Sequence, residues 1–516
     1  MENSQRLSLK QKQQLGSAEV SYWAEEFINL ESGEKFSFKD HTYLIEPYQE
    51  QHRHQVHMKA TQVGLSTFAI LKAIHSCIYR FPLGVMYFFP TDSDVSDFSR
   101  GRVTPLIENN REAIGEYVSD TDTVGIKRIG RAFIYFRGMK SKVGMKSVPA
   151  DMVIFDELDE APPEAMEMSR KRMSHSRFQE EIDLSNPTIP GYGIDLEYQL
   201  SDQRSFLLKC PHCGEFNCVE DDFPDCLLEA NGTVILACHK CRKELDRNMG
   251  EWVARRPSII DVRGYRYSQL ISPTVRAKDV LKEFRLAQSM GRLVNFYNLT
   301  LGRAFVTAKE KMEQAQVLEL CAKSDWPEDP FGDSGDVAMG VDQGSDLHVV
   351  FKRKVGNKIL TWSVIEKDFE ELDKYLDRCS KCVIDALPET RKAREFANRN
   401  SGKVFLNFYV EKQKGKTKWD EEKMIVQENR TESMDSSHNN FFDGVNVLPP
   451  RSPDVEEFAK HICNVAKKLE EDDETGSKRY VWVKLGPDHF RHADNYANIA
   501  LQEITGSDSG GNLDYV

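Results

Sequence analysis

The segment Lys59-Ala-Thr-Gln-Val-Gly64-Leu-Ser66-Thr67 sets a lysine, a glycine and two hydroxyls in front of an apolar stretch with helical spacing. Gly64 lets backbone approach a phosphate, the free N–H groups of a helix start carry partial positive charge, and Ser66 and Thr67 offer hydroxyls to Mg2+. The pattern departs from GxxxxGK[ST]: Leu65 holds the usual lysine position, and Lys59 stands where the first glycine would be. Lys59 must therefore reach back across the loop. Further on, Asp151-Met-Val-Ile-Phe-Asp156-Glu157 is an apolar run closed by two acids. Asp156 would hold Mg2+ and Glu157 would polarise the attacking water of a phosphoryl transfer. Alone, each motif is an ordinary strand and turn; together they predict ATP binding and hydrolysis. Tyr48 and Gln49 precede the loop where an adenine-contacting pair would lie, or form a plain surface turn. Leu184-Ser185-Asn186-Pro187-Thr188 is a polar strand end suited to sensing a γ-phosphate.

Cys210-Pro-His-Cys213 and Cys238-His-Lys-Cys241 are two CxxC knuckles. Four thiolates suit tetrahedral Zn2+ and leave no open position, so a structural zinc ribbon is expected rather than zinc catalysis. Cys218 and Cys226 read as core residues, and His212 and His239 as bystanders.

A third group is acidic. Val337-Ala-Met-Gly-Val-Asp342 and Lys381-Cys-Val-Ile-Asp385 are apolar runs ending in aspartate, and Asp488-His-Phe-Arg-His-Ala-Asp494 opens the last helix. Two-metal phosphodiester cleavage needs about three carboxylates around Mg2+ or Mn2+. Asp342, Asp385 and Asp494 are the expected set, with Asp488 competing for the third place and Glu389 a weaker addition. His489 and His492 either orient water or phosphate, or are solvated helix-end residues. Basic runs at Arg170–Arg172, Arg391–Arg399 and Lys412–Lys418 are candidate DNA-phosphate contacts or ordinary solvated faces.

These residues need a scaffold. The 516 residues exceed one ordinary core and imply two or three domains. With 40% hydrophobic and 29% charged residues the composition is that of a soluble globular chain. No run approaches a membrane span, and the polar start lacks a secretory apolar core. A net charge of -13 argues against a general nucleic-acid coat but not against local contacts. Short apolar runs (Val85–Phe89, Met152–Phe155) alternate with helical patterns (Thr67–Ile78), which is an α/β signature. The expected layout is an N-terminal helical segment at 1–40, whose Tyr22, Trp23, Phe27 and Ile28 are a docking face or pack on their own domain. A P-loop (RecA/ASCE-like) ATPase core follows at 41–205, a zinc ribbon at 206–245 and the rest of the ATPase domain at 246–325. A Pro-, Gly- and Asp-rich linker at 326–336, a second α/β domain at 337–505 that begins like an RNase H-like nuclease, and a flexible tail at 506–516 complete the chain.

In KATQVGLST, VIFDELD, SNPT, CPHC…CHKC and the C-terminal acids the chain resembles the large terminase subunit of tailed bacteriophages, in its lambda-type branch. The resemblance implies a DNA-packaging motor: ATP hydrolysis drives double-stranded DNA into a procapsid, and the nuclease cuts concatemers. It implies a homo-oligomeric ring on the portal, a small terminase subunit as partner, and work in the host cytoplasm. One departure stands out, since many members carry an arginine inside the phosphate loop and this loop has none. That arginine would come from Arg100, Arg102 or a neighbouring subunit. The rival readings are a helicase–nuclease of DNA repair, disfavoured because a second helicase domain is missing, and a non-catalytic zinc-ribbon DNA-binding protein.

Overall fold

A computed structural model describes residues 7–139, 148–230, 232–307, 310–332, 336–410, 413, 415, 417–471 and 478–506. The chain forms two compact units, Met1–Val306 and Thr307–Val516.

The strands of the first unit are β1 (His54–Lys59), β2 (Gly84–Phe89), β3 (Val118–Asp122), β4 (Ile126–Ile129), β5 (Ala132–Gly138), β6 (Met152–Asp156), β7 (Glu180–Ser185), β8 (Arg204–Lys209), β9 (Phe216–Asn217), β10 (Leu227–Ala230), β11 (Thr233–Leu236), β12 (Gly250–Ala254) and β13 (Arg263–Tyr267). One sheet runs β12-β8-β13-β1-β7-β6-β2-β5-β4-β3, with β9 beside β8, and its centre from β13 to β5 is parallel throughout. Parallel strands are covered on both faces, which is why β2 and β6 are buried at every position. Apolar clusters lie on the two faces. One holds Phe68, Ile70, Ile74 and Ile154, and the other Phe88, Val153 and Phe155.

The N-terminal helices belong to this core. Trp23 and Ile28 are buried, and the Trp23 ring meets His75 on helix Leu65–Tyr79. The packing alternative is the one found; no docking face is left at those two residues. β8 pairs with β13 and β12 in the main sheet, so the cysteine-bearing insertion starts only after Lys209.

The second unit contains β14 (Val337–Gln343), β15 (Leu347–Val355), β16 (Lys358–Glu366), β17 (Lys381–Asp385), β18 (Val404–Tyr409), β19 (Lys418–Asp420), β20 (Ile425–Glu428), β21 (Asn446–Val447), β22 (Val465–Glu471) and β23 (Lys478–Lys484). Its main sheet runs β19-β20-β18-β17-β14-β15-β16-β21. An antiparallel meander β14–β15–β16 adjoins the parallel strands β17, β18 and β20. This mixed sheet is the second α/β domain expected from the sequence. Helix His489–Thr505 crosses the sheet on β14. It approaches so closely because residue 340 is glycine: a Cβ there would lie 2.1 Å from Ala493 O and 2.2 Å from Ala497 N.

The boundary falls earlier than the composition suggests. Met312, Val317 and Leu320 pack in the second unit, and Trp326 and Phe331 lie against its core, so 326–332 is anchored by its aromatics rather than spanning freely. The tail beyond Gly506 and Lys412, Lys414 and Lys416 of the basic run lie outside the described residues.

Gly340→Ala should destabilise the second unit by about 1–3 kcal/mol or more. Urea unfolding followed by a tryptophan signal from that unit measures this, and the first unit's transition should not move.

Candidate functional site

Ligands of open parallel sheets bind at the carboxyl ends of the strands. In the first unit the ends of β1, β7 and β6 lie side by side. β1 delivers Lys59. The chain then turns through Gln62 (φ 60°) and Gly64 (φ 83°) into helix Leu65–Tyr79. Gly64 is needed at the second of these, where a side chain would be strained. Lys59 Nζ lies 2.7 Å from Glu157 Oε1 and 4.0 Å from Asp156 Oδ1. Burial alone would lower the Lys59 pKa, but Glu157 and then Asp156 outweigh it and hold the ammonium charged.

Asp156 ends β6 fully buried. Burial raises its pKa against the pull of Lys59. Tyr87 donates from its hydroxyl to Asp156 Oδ2 at 2.9 Å, the Ser66 hydroxyl lies against the same carboxylate, and Oδ1 is buried with no hydrogen-bond partner. A hydroxyl beside a carboxylate oxygen with a free lone pair is a donor set that suits Mg2+. Glu157 stands at φ 58°, ψ 50°, a left-handed conformation uncommon for a non-glycine residue, with its side chain partly exposed. A cavity of about 480 Å3 opens here, lined by Ser66, Asp156, Glu157, Glu160, Phe98 and Arg102 among others. Arg102, not Arg100, is the arginine on this wall, and its charge reaches Lys59 and Tyr87.

The polar strand end after β7 sits between the two motifs. Asn186 Nδ2 donates to Lys59 O at 2.7 Å, and the Asp159 backbone N–H donates to Ser185 Oγ at 3.2 Å. Asp159 was not singled out from the sequence. Its carboxylate accepts from the backbone N–H and hydroxyl of Thr188 and from the Ile194 N–H, fixing the acidic turn to the polar one.

Tyr48 and Gln49 do not join this site. Tyr48 is 2% exposed, its ring enclosed by Phe36, Phe38 and Phe68, so it has no face for adenine. Gln49 is exposed outside the cavity wall. Arg170 is likewise committed, to Glu181 and Glu197.

The four cysteines of the knuckles do converge. Cys210 and Cys241 Sγ are 3.6 Å apart, Cys213 and Cys238 Sγ 3.7 Å, and all four lie within 4.8 Å of one another. A tetrahedron of Zn–S bonds of ~2.3 Å has edges of roughly 3.8 Å, so the site fits zinc. Cys226 turns away, its thiol donating to Val219 O, and Cys218 meets Glu220.

In the second unit the pairing of β14 with β17 sets Asp342 beside Asp385. Gln343 Nε2 donates to Asp385 O at 2.7 Å. Burial raises the Asp385 pKa, and the charge of Asp342 adds to this. His489 Nδ1 lies 2.8 Å from Asp342 Oδ2. His492 acts electrostatically on Asp385 and stands 3.3 Å from Asp488. Asp488, the N-cap of the last helix, is therefore linked to this corner through His492. Burial would raise its pKa, but His492 and Lys484 outweigh it and hold it at about 2.

Asp494 is paired elsewhere. It is fully buried, with Lys352 Nζ at 2.9 Å, the Ser437 hydroxyl donating at 2.6 Å and Arg491 at 3.7 Å. The carboxylate is engaged by two buried cations and a hydroxyl. Both histidines are engaged by carboxylates, His489 by Asp342 and His492 by Asp488. Glu389 lines a separate cavity of about 260 Å3 with Lys392 and Arg399.

Chelating zinc, or substituting Cys238→Ser, should lower the thermal midpoint of the first unit markedly, because a structural site contributes its binding energy to folding. Metal analysis of the purified chain should find zinc, and the substitution should remove it.

Residues 43–256 match the family model of the phage terminase large subunit gpA, ATPase domain. The crystal structure of the HK97 bacteriophage large terminase aligns over 94% of this chain and 99% of that one, at 9% identity and a TM-score of 0.55. The Thermus phage P74-26 large terminase ATPase domain covers 53% of this chain and 95% of its own at 14% identity and a TM-score of 0.32. A large terminase from a thermophilic bacteriophage covers 89% and 96% at 11% identity, also with a TM-score of 0.32. No individual curated protein matches. The HK97 likeness is one of fold alone, and it extends through both units. Over residues 43–256 the chain is thus similar to the ATPase domain of the phage terminase large subunit gpA.

Proposed function

We propose that the chain is an ATP-driven DNA-packaging motor whose second unit is a metal-dependent endonuclease. The observation that carries this reading is a cavity lined by Ser66, Asp156 and Glu157, with Lys59 paired to the two acids from the end of β1. Lys59 and Arg102 face the phosphates with positive charge. Ser66 and Asp156 would hold Mg2+, which neutralises the charge that develops on the transferred phosphoryl group. Glu157 accepts a hydrogen bond from the attacking water and orients it. Loss of the γ-phosphate is read by the Ser185–Thr188 segment, already bonded to Lys59 O and to the acidic turn.

In the second unit Asp342, Asp385 and Asp488 would hold Mg2+ or Mn2+, which activates water and stabilises the leaving oxygen. His489 keeps Asp342 in its rotamer, and His492 does the same for Asp488. Double-stranded DNA is the substrate of both activities. The portal of the procapsid, a small terminase subunit and further copies of this chain in a ring are the proposed partners, in the host cytoplasm. The lambda-type branch is proposed on the displaced lysine.

Glu157→Ala or Lys59→Ala should lower DNA-stimulated ATP turnover by ~100-fold or more. Unchanged turnover would leave the chain a binding protein with a disused nucleotide loop. Asp342→Ala and Asp488→Asn should abolish Mn2+-dependent plasmid cleavage while the chain stays folded. Asp494→Ala, in contrast, should cost about 3–5 kcal/mol of stability, because it strands buried cations. Circular dichroism melts beside the cleavage assay separate the two effects.

A further inference from the structure

The last segment of the first unit, Phe296 to Phe305, touches the nucleotide loop at several points that phosphate chemistry does not require. The Leu299 carbonyl accepts from the Thr61 N–H at 2.8 Å and from its hydroxyl at 3.1 Å. Gly302 (φ 58°) lies flat on the loop: a Cβ there would sit 2.2 Å from Tyr267 O, 2.7 Å from Ala60 N and 3.0 Å from Lys59 C. Asn298, 8% exposed, spans the gap to the polar segment. Its Nδ2 donates to Thr188 O at 3.1 Å, and its Oδ1 accepts from the Phe305 N–H at 3.0 Å. Asn186 closes the circuit by donating to Lys59 O. Three segments distant in sequence are thus tied in one ring of hydrogen bonds: the loop, the γ-phosphate-sensing segment and the exit turn.

We infer that Asn298 is a positioning residue for ATP hydrolysis, fixing the Ser185–Thr188 segment against the phosphate loop through the turn that leads out of the first unit. This rests on the ATPase reading above. The amide meets both demands from two separate atoms, Nδ2 donating to one carbonyl and Oδ1 accepting from one N–H. Its loss leaves Thr188 O and the Phe305 N–H, both half-buried, without this partner and lets the sensing segment drift relative to Lys59. A displacement of about 1 Å at a reacting centre is enough to cost orders of magnitude in rate.

The test uses the full chain, ATP and double-stranded DNA. Asn298→Ala should lower kcat for ATP by roughly tenfold or more with KM changed by less than about threefold, since the groups that hold the nucleotide are intact. Asn298→Gln, which keeps both hydrogen-bonding functions, should recover part of kcat. Should Asn298→Ala not fold, Asn298→Ser serves in its place. Val280→Ala, a buried truncation in helix Ala277–Ser289 without any bond to the ring, is the control for lost stability. The inference is overturned if Asn298→Ala keeps wild-type kcat, or if both truncations lower kcat only in proportion to their melting temperatures. Absence of turnover in the unaltered chain would refute the ATPase reading itself, and the inference with it.

Discussion

Lys59 is a buried ammonium, and an uncompensated charge in that position would cost several kcal/mol. The carboxylates of Glu157 and Asp156 compensate it, and they reach it only because β6 and β1 are held in one parallel sheet with β7 between them. Much of the first unit serves this condition. Apolar strands buried on both faces keep the ends in line, and Tyr87 holds the Asp156 oxygen that faces away from the lysine. The same need for compensation explains why the lysine works from the far end of the loop. Its position at the last residue of β1 is fixed by the sheet, whereas a lysine on the loop crown would depend on the loop alone.

The second unit follows a parallel rule with the charges reversed. Asp342 and Asp385 are neighbours by strand register, so their mutual repulsion is built into the sheet. His489 and His492 relieve it from the last helix, and the helix is placed by the missing side chain at residue 340. The buried Lys352–Asp494–Arg491 group anchors that helix farther along, so that one element carries a buried ion-pair group and, at its N-cap, a second carboxylate.

What was legible in the sequence was local. The phosphate loop, the acidic strand end and the cysteine knuckles are short motifs whose chemistry is complete within a few residues, and the structure assembles each of them. Strand order is not local: nothing in Glu180–Ser185 says that it lies between the lysine and the acids. Burial misled twice. An aromatic ahead of a loop reads the same whether it stacks on a base or fills a core, and Tyr48 fills a core. Asp488 and Asp494 are six residues apart, which on a helix is a turn of about 240° past a full circle, so they cannot share surroundings. The spacing showed two candidates without showing which way either faced. At the boundary, composition alone favoured 326–336, but Trp326 and Phe331 anchor that stretch.

Each unit has its own apolar clusters, and none of these clusters is shared between Met1–Val306 and Thr307–Val516 among the described residues. Cooperative melting follows such clusters, so the chain has two transitions where a single core would have one. Linkage then makes each transition a private gauge of its own ligands. A nucleotide bound to the first unit would raise one midpoint by an amount set by its concentration over its dissociation constant, and a ligand of the second unit would raise the other. Binding to either half becomes measurable by heat alone, with no turnover and no cut required.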